Sequence, residues 1–441
     1  MQVKDPQNQT EAGHSYRNYV LVMLTLVYAF NFIDRQVLVI LQEAIKKDMH
    51  LSDAQLGWLS GAAFAAIYVT VGIPVARLAD KSNRRNIIAI SLGLWSLMTA
   101  ACGMARNYLQ LFFARIGVGV GEAGGSPPAH AMISDYFPPR KRSTALAIYS
   151  AGIYLGMLIG FAMGGYLSQR IGWRKAFMVV GIPGIIFSLL FFVTVREPSR
   201  GATDAAKADE SHTFSEVVRL LFSSRTFVYL AMATSLLVFC IYGLSNWASS
   251  FLARLHGMRT SQIGLALGLA FGIGGGIGSI AGGWLTDLFG KSNKAWYLRI
   301  PAFAILVSLL FEALALFSPV TGISVVAFGC VAGLHSMYLG PSLSVAHSLV
   351  PASMRAQTSA VLFFCLNLIG LGLGPPVVGY IADLLKPTQG VESLRWAMSV
   401  VILVSVVAMV LFFKTAGIYR AAPPSIVRQM PLTNEASSEA R

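Results

Sequence analysis

Twelve apolar runs, each about long enough to cross a bilayer, constrain this chain more than any other feature. A helix needs about 20 residues to span the ~30 Å hydrocarbon layer. The runs lie at approximately 18–40, 54–76, 86–105, 108–133, 143–166, 176–195, 226–250, 261–285, 297–317, 321–346, 356–380 and 395–413. In hydrocarbon every backbone polar group must be bonded internally, so such runs become helices. Only 12% of the 441 residues are charged and 55% are hydrophobic. A water-soluble chain carries about twice that charge. The expectation is an all-α membrane protein of twelve transmembrane helices.

The net charge of +14 invites a nucleic-acid partner, but its distribution excludes one. Lys and Arg sit in short stretches between the apolar runs. With the N-terminus inside, the inside segments hold roughly twice as many of them as the outside loops. Both termini should therefore face the cytoplasm, and the short loops suggest a bacterial inner membrane. Residues 1–15 are polar and the first run has full spanning length, so no cleavable signal peptide is expected. Cys102, Cys240, Cys330 and Cys365 lie far apart within apolar runs and read as small buried hydrophobes. No cofactor or metal is indicated.

A polar stretch, Arg196 to Arg225, separates six runs from six. Three parts follow: 1–195, a linker at 196–225, and 226–441. Within the linker, Thr213 and Glu216 have capping-box spacing. Phe214, Val217, Val218, Leu221 and Phe222 then recur on one helical face. A short helix should lie on the membrane interface or fold back onto the bundle.

The two groups of runs share a plan. Ser52-Asp-Ala-Gln-Leu-Gly57 opens the second run and Arg259-Thr-Ser-Gln-Ile-Gly264 the eighth, 207 residues later. The same shift carries Asp80 onto Asp287 and Arg84 onto Lys291. Arg142, before the fifth run, corresponds to Arg355, before the eleventh, and Gly165-Tyr166 to Gly379-Tyr380. Two pseudo-symmetric six-helix halves about a central cavity are a transporter architecture, with rocking between them as its motion.

The motifs resemble those of the major facilitator superfamily. Ala76-Arg-Leu-Ala-Asp80-Lys-Ser-Asn-Arg84-Arg85 is similar to its signature between the second and third helices. Gly283-Trp-Leu-Thr-Asp287-Leu-Phe-Gly290-Lys291 resembles the weaker second copy, and Arg115-Ile-Gly-Val-Gly119 the Arg-xxx-Gly motif. Ala76 and Asn83 depart from the usual glycines. More narrowly, Asn31-Phe-Ile-Asp34-Arg35, Gly119-Val-Gly-Glu122-Ala and Ser134-Asp135-Tyr-Phe-Pro138 resemble the spinster-like branch. That resemblance implies an amphiphilic lipid substrate, a lysophospholipid or sphingoid phosphate, moved with protons. It also implies a gate in which Asp80, with Arg84, Arg85, Asp287, Lys291, Arg142 and Arg355 around it, caps the start of the eleventh helix. An aspartate there would be worth about 0.3–2 kcal/mol.

A charge at membrane depth costs at least ~2.5–3.5 kcal/mol and marks function by default. Asp34 and Arg35 lie on the first run, Arg115 and Glu122 on the fourth. Arg115 and Glu122, seven apart, share one helical stripe with Gly119 and Ser126. Asp34 and Glu122 are the expected proton carriers. Arg35 is expected to read an anionic head group through its fixed fork of donors, and Arg115 to hold Glu122. Ser126 joins the substrate site, and Asn246 and Trp247 on the seventh run could rim the cavity. A structural alternative is two ion pairs that only hold helices together.

The remaining polar groups are weaker candidates. Pro127-Pro128 should kink the fourth helix. Glu312 reads as isolated and neutral, and His335 and His347 as hydrogen-bonded core histidines. Gly152, Gly156, Gly160 and Gly164 form a close-packing ladder, echoed at Gly370, Gly372 and Gly374. His130 and Asp135 have acyltransferase spacing but point apart on a helix. A membrane-bound lipid-modifying enzyme is thus a remote alternative to a non-enzymatic transporter. The nearer alternative is an organic-anion:proton symporter, because Asp-Arg on the first helix also resembles that branch. A monomer is expected.

Overall fold

The structure is a computed structural model that describes residues 6–199, 213–351 and 354–421, and all its regular elements are helical. The first crossing is α1, Pro6–Met49, which extends well beyond its apolar run at both ends. The second is divided at Gly61 into α2, Asp53–Ser60, and α3, Ala62–Lys81. The third is α4, Arg84–Cys102. The fourth is divided into α5, Tyr108–Glu122, and α6, Ser126–Tyr136. The fifth and sixth run together as α7, Pro139–Thr194, turned at Gly172, whose φ of 80° a side chain would disfavour.

A short helix, α8, spans Phe214–Ser223. The second half follows as α9, Arg225–Leu255, α10, Thr260–Gly290, and α11, Trp296–Phe317. Its tenth crossing is divided into α12, Thr321–Ser336, and α13, Leu339–Ser348. The eleventh joins α14, Arg355–Cys365, through a π-helical stretch, Leu366–Leu371, to α15, Gly372–Gln389. The twelfth is α16, Ser393–Ala421.

Eight described helices are long and apolar enough to cross a membrane. Two of them, at 55 and 65 residues, each hold two crossings, and the second and fourth crossings are interrupted ones. The twelve expected spans are therefore present. The end of the bundle that carries the α7-to-α8 connection is called here the linker end, and the opposite one the far end.

Packing repeats between the halves. The glycine ladder of α7 lies on α1: a Cβ at Gly152 would sit 2.6 Å from Thr25 O, and one at Gly156 2.5 Å from Ala29 O. In the second half Gly370 presses on Val238 and Gly374 on Phe239 O, both of α9. Small residues here let backbones approach. The capping box of α8 forms as expected, and Val217 and Leu221 are buried in the second half's core beside Phe227, Leu349 and Phe412. The fold-back alternative is realised, with Phe214 and Phe222 left exposed. Most of the linker-like stretch before Thr213 lies outside the described residues.

Candidate functional site

The four intramembrane charges of the first half converge from two helices. Arg35 of α1 donates through Nε to Glu122 Oε2 at 2.8 Å, and its second nitrogen lies 2.7 Å from the same oxygen. Asn31, one turn before Arg35, approaches the same carboxylate. Sequence spacing had assigned Glu122 to Arg115. The hydrogen bond seen comes from Arg35 of a neighbouring helix, while Arg115 remains a favourable charge for Glu122. Arg115 is buried where it acts electrostatically on both Glu122 and Asp34.

Asp34 and Glu122 are each 1% exposed, yet they are bonded differently. Neither oxygen of Asp34 has a hydrogen-bond partner among the described residues; Thr99 of α4 is its polar neighbour. Glu122 ends α5, and the chain turns through Ala123–Gly125 before α6 begins. Pro127 and Pro128 follow the break and occupy the first turn of α6. A first-turn proline forfeits no helical bond. The expected mid-helix kink is therefore a clean break placed before the prolines. Ser126 opens α6, partly exposed.

An aromatic wall runs from Arg35 along α1. The Arg35 guanidinium lies 5.2 Å from the Phe32 ring centre. Phe32 meets Tyr28 edge-on, and Tyr28 stacks on Tyr149 at 4.5 Å. His130 packs against Tyr149. Asp135 instead binds Arg84, so the acyltransferase-like spacing of His130 and Asp135 forms no pair.

Two residues expected at the cavity rim do other work. Trp247 is fully buried and donates its indole N–H to Pro375 O at 2.9 Å, tying α9 to α15. It has no surface to offer a substrate in this conformation. Asn246, also buried, donates to Tyr242 O at 3.1 Å.

Among the expected gating residues, Arg84 is buried and holds one group of its own half and two at the start of the linker. Its nitrogens donate to Asp135 Oδ2 at 2.5 Å, Glu197 Oε1 at 2.7 Å and Pro198 O at 3.2 Å. Arg85 donates to Phe192 O at 2.9 Å and lies over that ring. Arg142 donates to Phe137 O. Asp287, Lys291 and Arg355 are exposed at the linker end. Asp80 lies in the last turn of α3, and its side chain lies outside the described residues.

A carboxylate cap between halves does occur, at the far end. Asp383 of α15 accepts from the backbone N–H groups of Asp53 at 3.0 Å and Ala54 at 2.7 Å, the first two orphan donors of α2. Beside it Arg254 of α9 binds Glu43 at 2.6 Å and Asp53 at 2.6 Å, and Lys46 also binds Asp53. Ser249 donates to Val39 O at 2.7 Å. Burial would push the Asp53 carboxyl up, but its bonds to Arg254 and Lys46 outweigh that and hold it below the usual carboxylate range. Sequence reading missed this cluster because its members come from four helices at no fixed spacing. The one local signal was the acidic first turn behind Ser52.

Glu312 was also misread as isolated. Its Oε1 meets Ser308, His335 and Ser405, so it joins three helices of the second half.

Comparison with known proteins agrees with this architecture. Residues 24–371 match the family described as Major Facilitator Superfamily. An "MFS-type efflux pump" of Mycolicibacterium smegmatis is 32% identical over 94% of this chain and 97% of its own length. A "Hexuronate transporter" of Bacillus subtilis is 24% identical over 92% of this chain and 98% of its own. A crystal structure of a bacterial homologue of the human lysosomal transporter spinster, inward-facing and unoccupied, superposes with a TM-score of 0.83 at 31% identity. It covers 92% of this chain and 99% of that one. With its two halves, its intramembrane charges and these relatives, the chain is a membrane transporter that belongs to the major facilitator superfamily, in its spinster-like branch.

Proposed function

We propose that this protein moves an amphiphilic anion, a lysophospholipid or sphingoid phosphate, by alternating access coupled to protons at Asp34 and Glu122. The observation that carries the reading is the unequal pair of enclosed carboxylates beside one accessible guanidinium. Among the described residues Asp34 has only Thr99 as a polar neighbour and no bonded partner, Glu122 is held by Arg35, and the Arg35 side chain is 13% exposed. A proton arriving at Glu122 cancels its hold on Arg35. The freed fork of donors then binds the head group, an arrangement that suits phosphate or carboxylate. The Phe32, Tyr28 and Tyr149 rings offer an apolar surface beside it for an acyl chain. In this reading the linker end is cytoplasmic, and the latched far end is the closed outer mouth. Asp80 would cap the eleventh helix in the opposite state.

An organic-anion:proton symporter of the same fold is the second reading. It is favoured by the near-full-length similarity to the hexuronate transporter, and it uses the same charges with a different occupant.

Uptake of a labelled lysophospholipid into proteoliposomes, with and without an imposed pH gradient, tests both. The lipid should accumulate with the gradient, and hexuronates should not compete. Glu122→Gln should flatten the pH dependence of uptake. Gradient-driven hexuronate movement without lipid flux would replace the substrate and keep the site. A gradient that drives neither would end the proton-coupled reading.

A further inference from the structure

The second half carries a buried ionisable pair that the site above does not use. His335 Nε2 of α12 lies 2.9 Å from Glu312 Oε1 of α11. Ser308 Oγ lies 3.0 Å from both atoms, and Ser405 Oγ of α16 donates to the same carboxyl oxygen at 3.2 Å. Glu312 is 0% and His335 2% exposed, and the two serines are fully buried. Glu312 Oε2 has no partner among the described residues. From α9, Cys240 faces the cluster as its titratable neighbour. From α10 the contact with α12 is made by backbone, Gly278 against Gly333.

Place in the fold gives this pair meaning. The register that carries Arg142 onto Arg355, a shift of 213, carries Glu122 onto His335. It also carries Thr99, the neighbour of Asp34, onto Glu312. Both crossings break at that point: α5 ends at Glu122, and α12 ends at Ser336, one residue after His335. Interrupted helices at matching positions of two halves are where transporters build ion sites.

We propose that Glu312 and His335 form a second proton-binding site, in the C-terminal half, at the break of the tenth crossing. Hydrogen accounting sets its capacity at one proton in this conformation. Neutral His335 can itself supply the hydrogen that a carboxyl oxygen 2.9 Å from its nitrogen needs, so the count of bound protons turns on Oε2 and on charge. With none, the ionised Oε2 would stand buried and unbonded. With two, an imidazolium would lose its counter-charge. Either excess is costly in so dry a place. Movement at Met337–Tyr338 that draws His335 away from α11 changes that affinity, which links proton occupancy to the state of the transporter. The inference does not depend on which substrate is carried.

The test uses the full chain in lipid nanodiscs and no substrate, so its failure is distinct from failure of the lipid reading. Infrared difference spectra are recorded across the pH range that titrates carboxylates and imidazoles, about 4 to 8. A protonated-carboxyl signal should disappear in Glu312→Gln, persist in Glu122→Gln, and change in Asp383→Asn, where the far-end latch is weakened. In His335→Gln its midpoint should move by about one pH unit or more, tenfold in proton affinity. A Glu312 signal indifferent to pH, to His335→Gln and to Asp383→Asn is a static hydrogen bond and overturns the proposal. So do superimposable spectra of the unmutated protein and Glu312→Gln. Should the variants fail to fold, unmutated protein with 15N-histidine and 13C-carboxyl glutamate serves instead. Magnetisation transfer between the two labels should vary with pH, and its absence or constancy overturns the inference.

Discussion

Asp34 and Glu122 are equally enclosed, so their different bonding decides how each responds to substitution. Removing one partner of a buried ion pair strands the other, typically at a cost of about 3–5 kcal/mol. Arg35→Ala should therefore lower the unfolding temperature clearly, and Arg35→Ala with Glu122→Gln should recover part of the loss. Asp34→Asn removes a charge but no hydrogen bond seen in the structure. Its unfolding temperature should stay close to the unmutated value while gradient-driven uptake falls. A large loss of stability in Asp34→Asn would place that residue in the scaffold. The four charges were legible from sequence because charge is so costly in hydrocarbon. Their pairing was not, since helical spacing orders residues within α5 and says nothing of which neighbour presents Arg35. The same limit hid Glu312, whose three partners come from distant parts of the chain.

At the scale of elements, the sequence reading placed the crossings well and their interruptions poorly. Apolar run length reports where a helix crosses, whereas the break at Met337–Tyr338 is marked only by Gly340-Pro341 in the first turn of α13, a signal the sequence reading passed over. The prolines of the fourth crossing mark the start of α6, not the bend itself. The far-end latch is an element-level device: a carboxylate of α15 seated on the N-terminal donors of α2. Such a cap is worth about 0.3–2 kcal/mol, or up to about thirtyfold in the ratio of closed to open far end. Asp383→Asn should shift spin-label distances across that mouth towards separation. The ion pairs of Asp53 beside the latch should not sense physiological pH. A carboxyl held below its usual range contributes fully above its free value of about 3.9 and is lost only as pH falls through the lowered one. Asp53 is such a group, so its carboxylate infrared band, identified by its loss in Asp53→Asn, should be constant from about pH 5 to 8.

For the whole molecule, the internal repeat makes the two ends comparable. The family resemblance implies a carboxylate cap at the linker end, from Asp80 to the eleventh crossing. The structure displays one at the far end, from the eleventh crossing to the second. The Asp80 cap would join the same pair of crossings as the Asp383 cap, α2–α3 with α14–α15, at the opposite end. If the halves rock as units, the two caps belong to different states and oppose each other. Asp383→Asn should then favour separation at the far end and Asp80→Asn separation at the linker end. The sites lie about a membrane thickness apart, ~30 Å, and share no partner, so their energies should add. The double variant should return the balance of states to near that of the unmutated protein, with faster exchange because both closed states are weaker. Distance distributions across both mouths, recorded for the four proteins, decide the matter. A double variant that matches either single one would mean that only one cap bears on the equilibrium, and the paired-latch account of the rocking motion would be wrong.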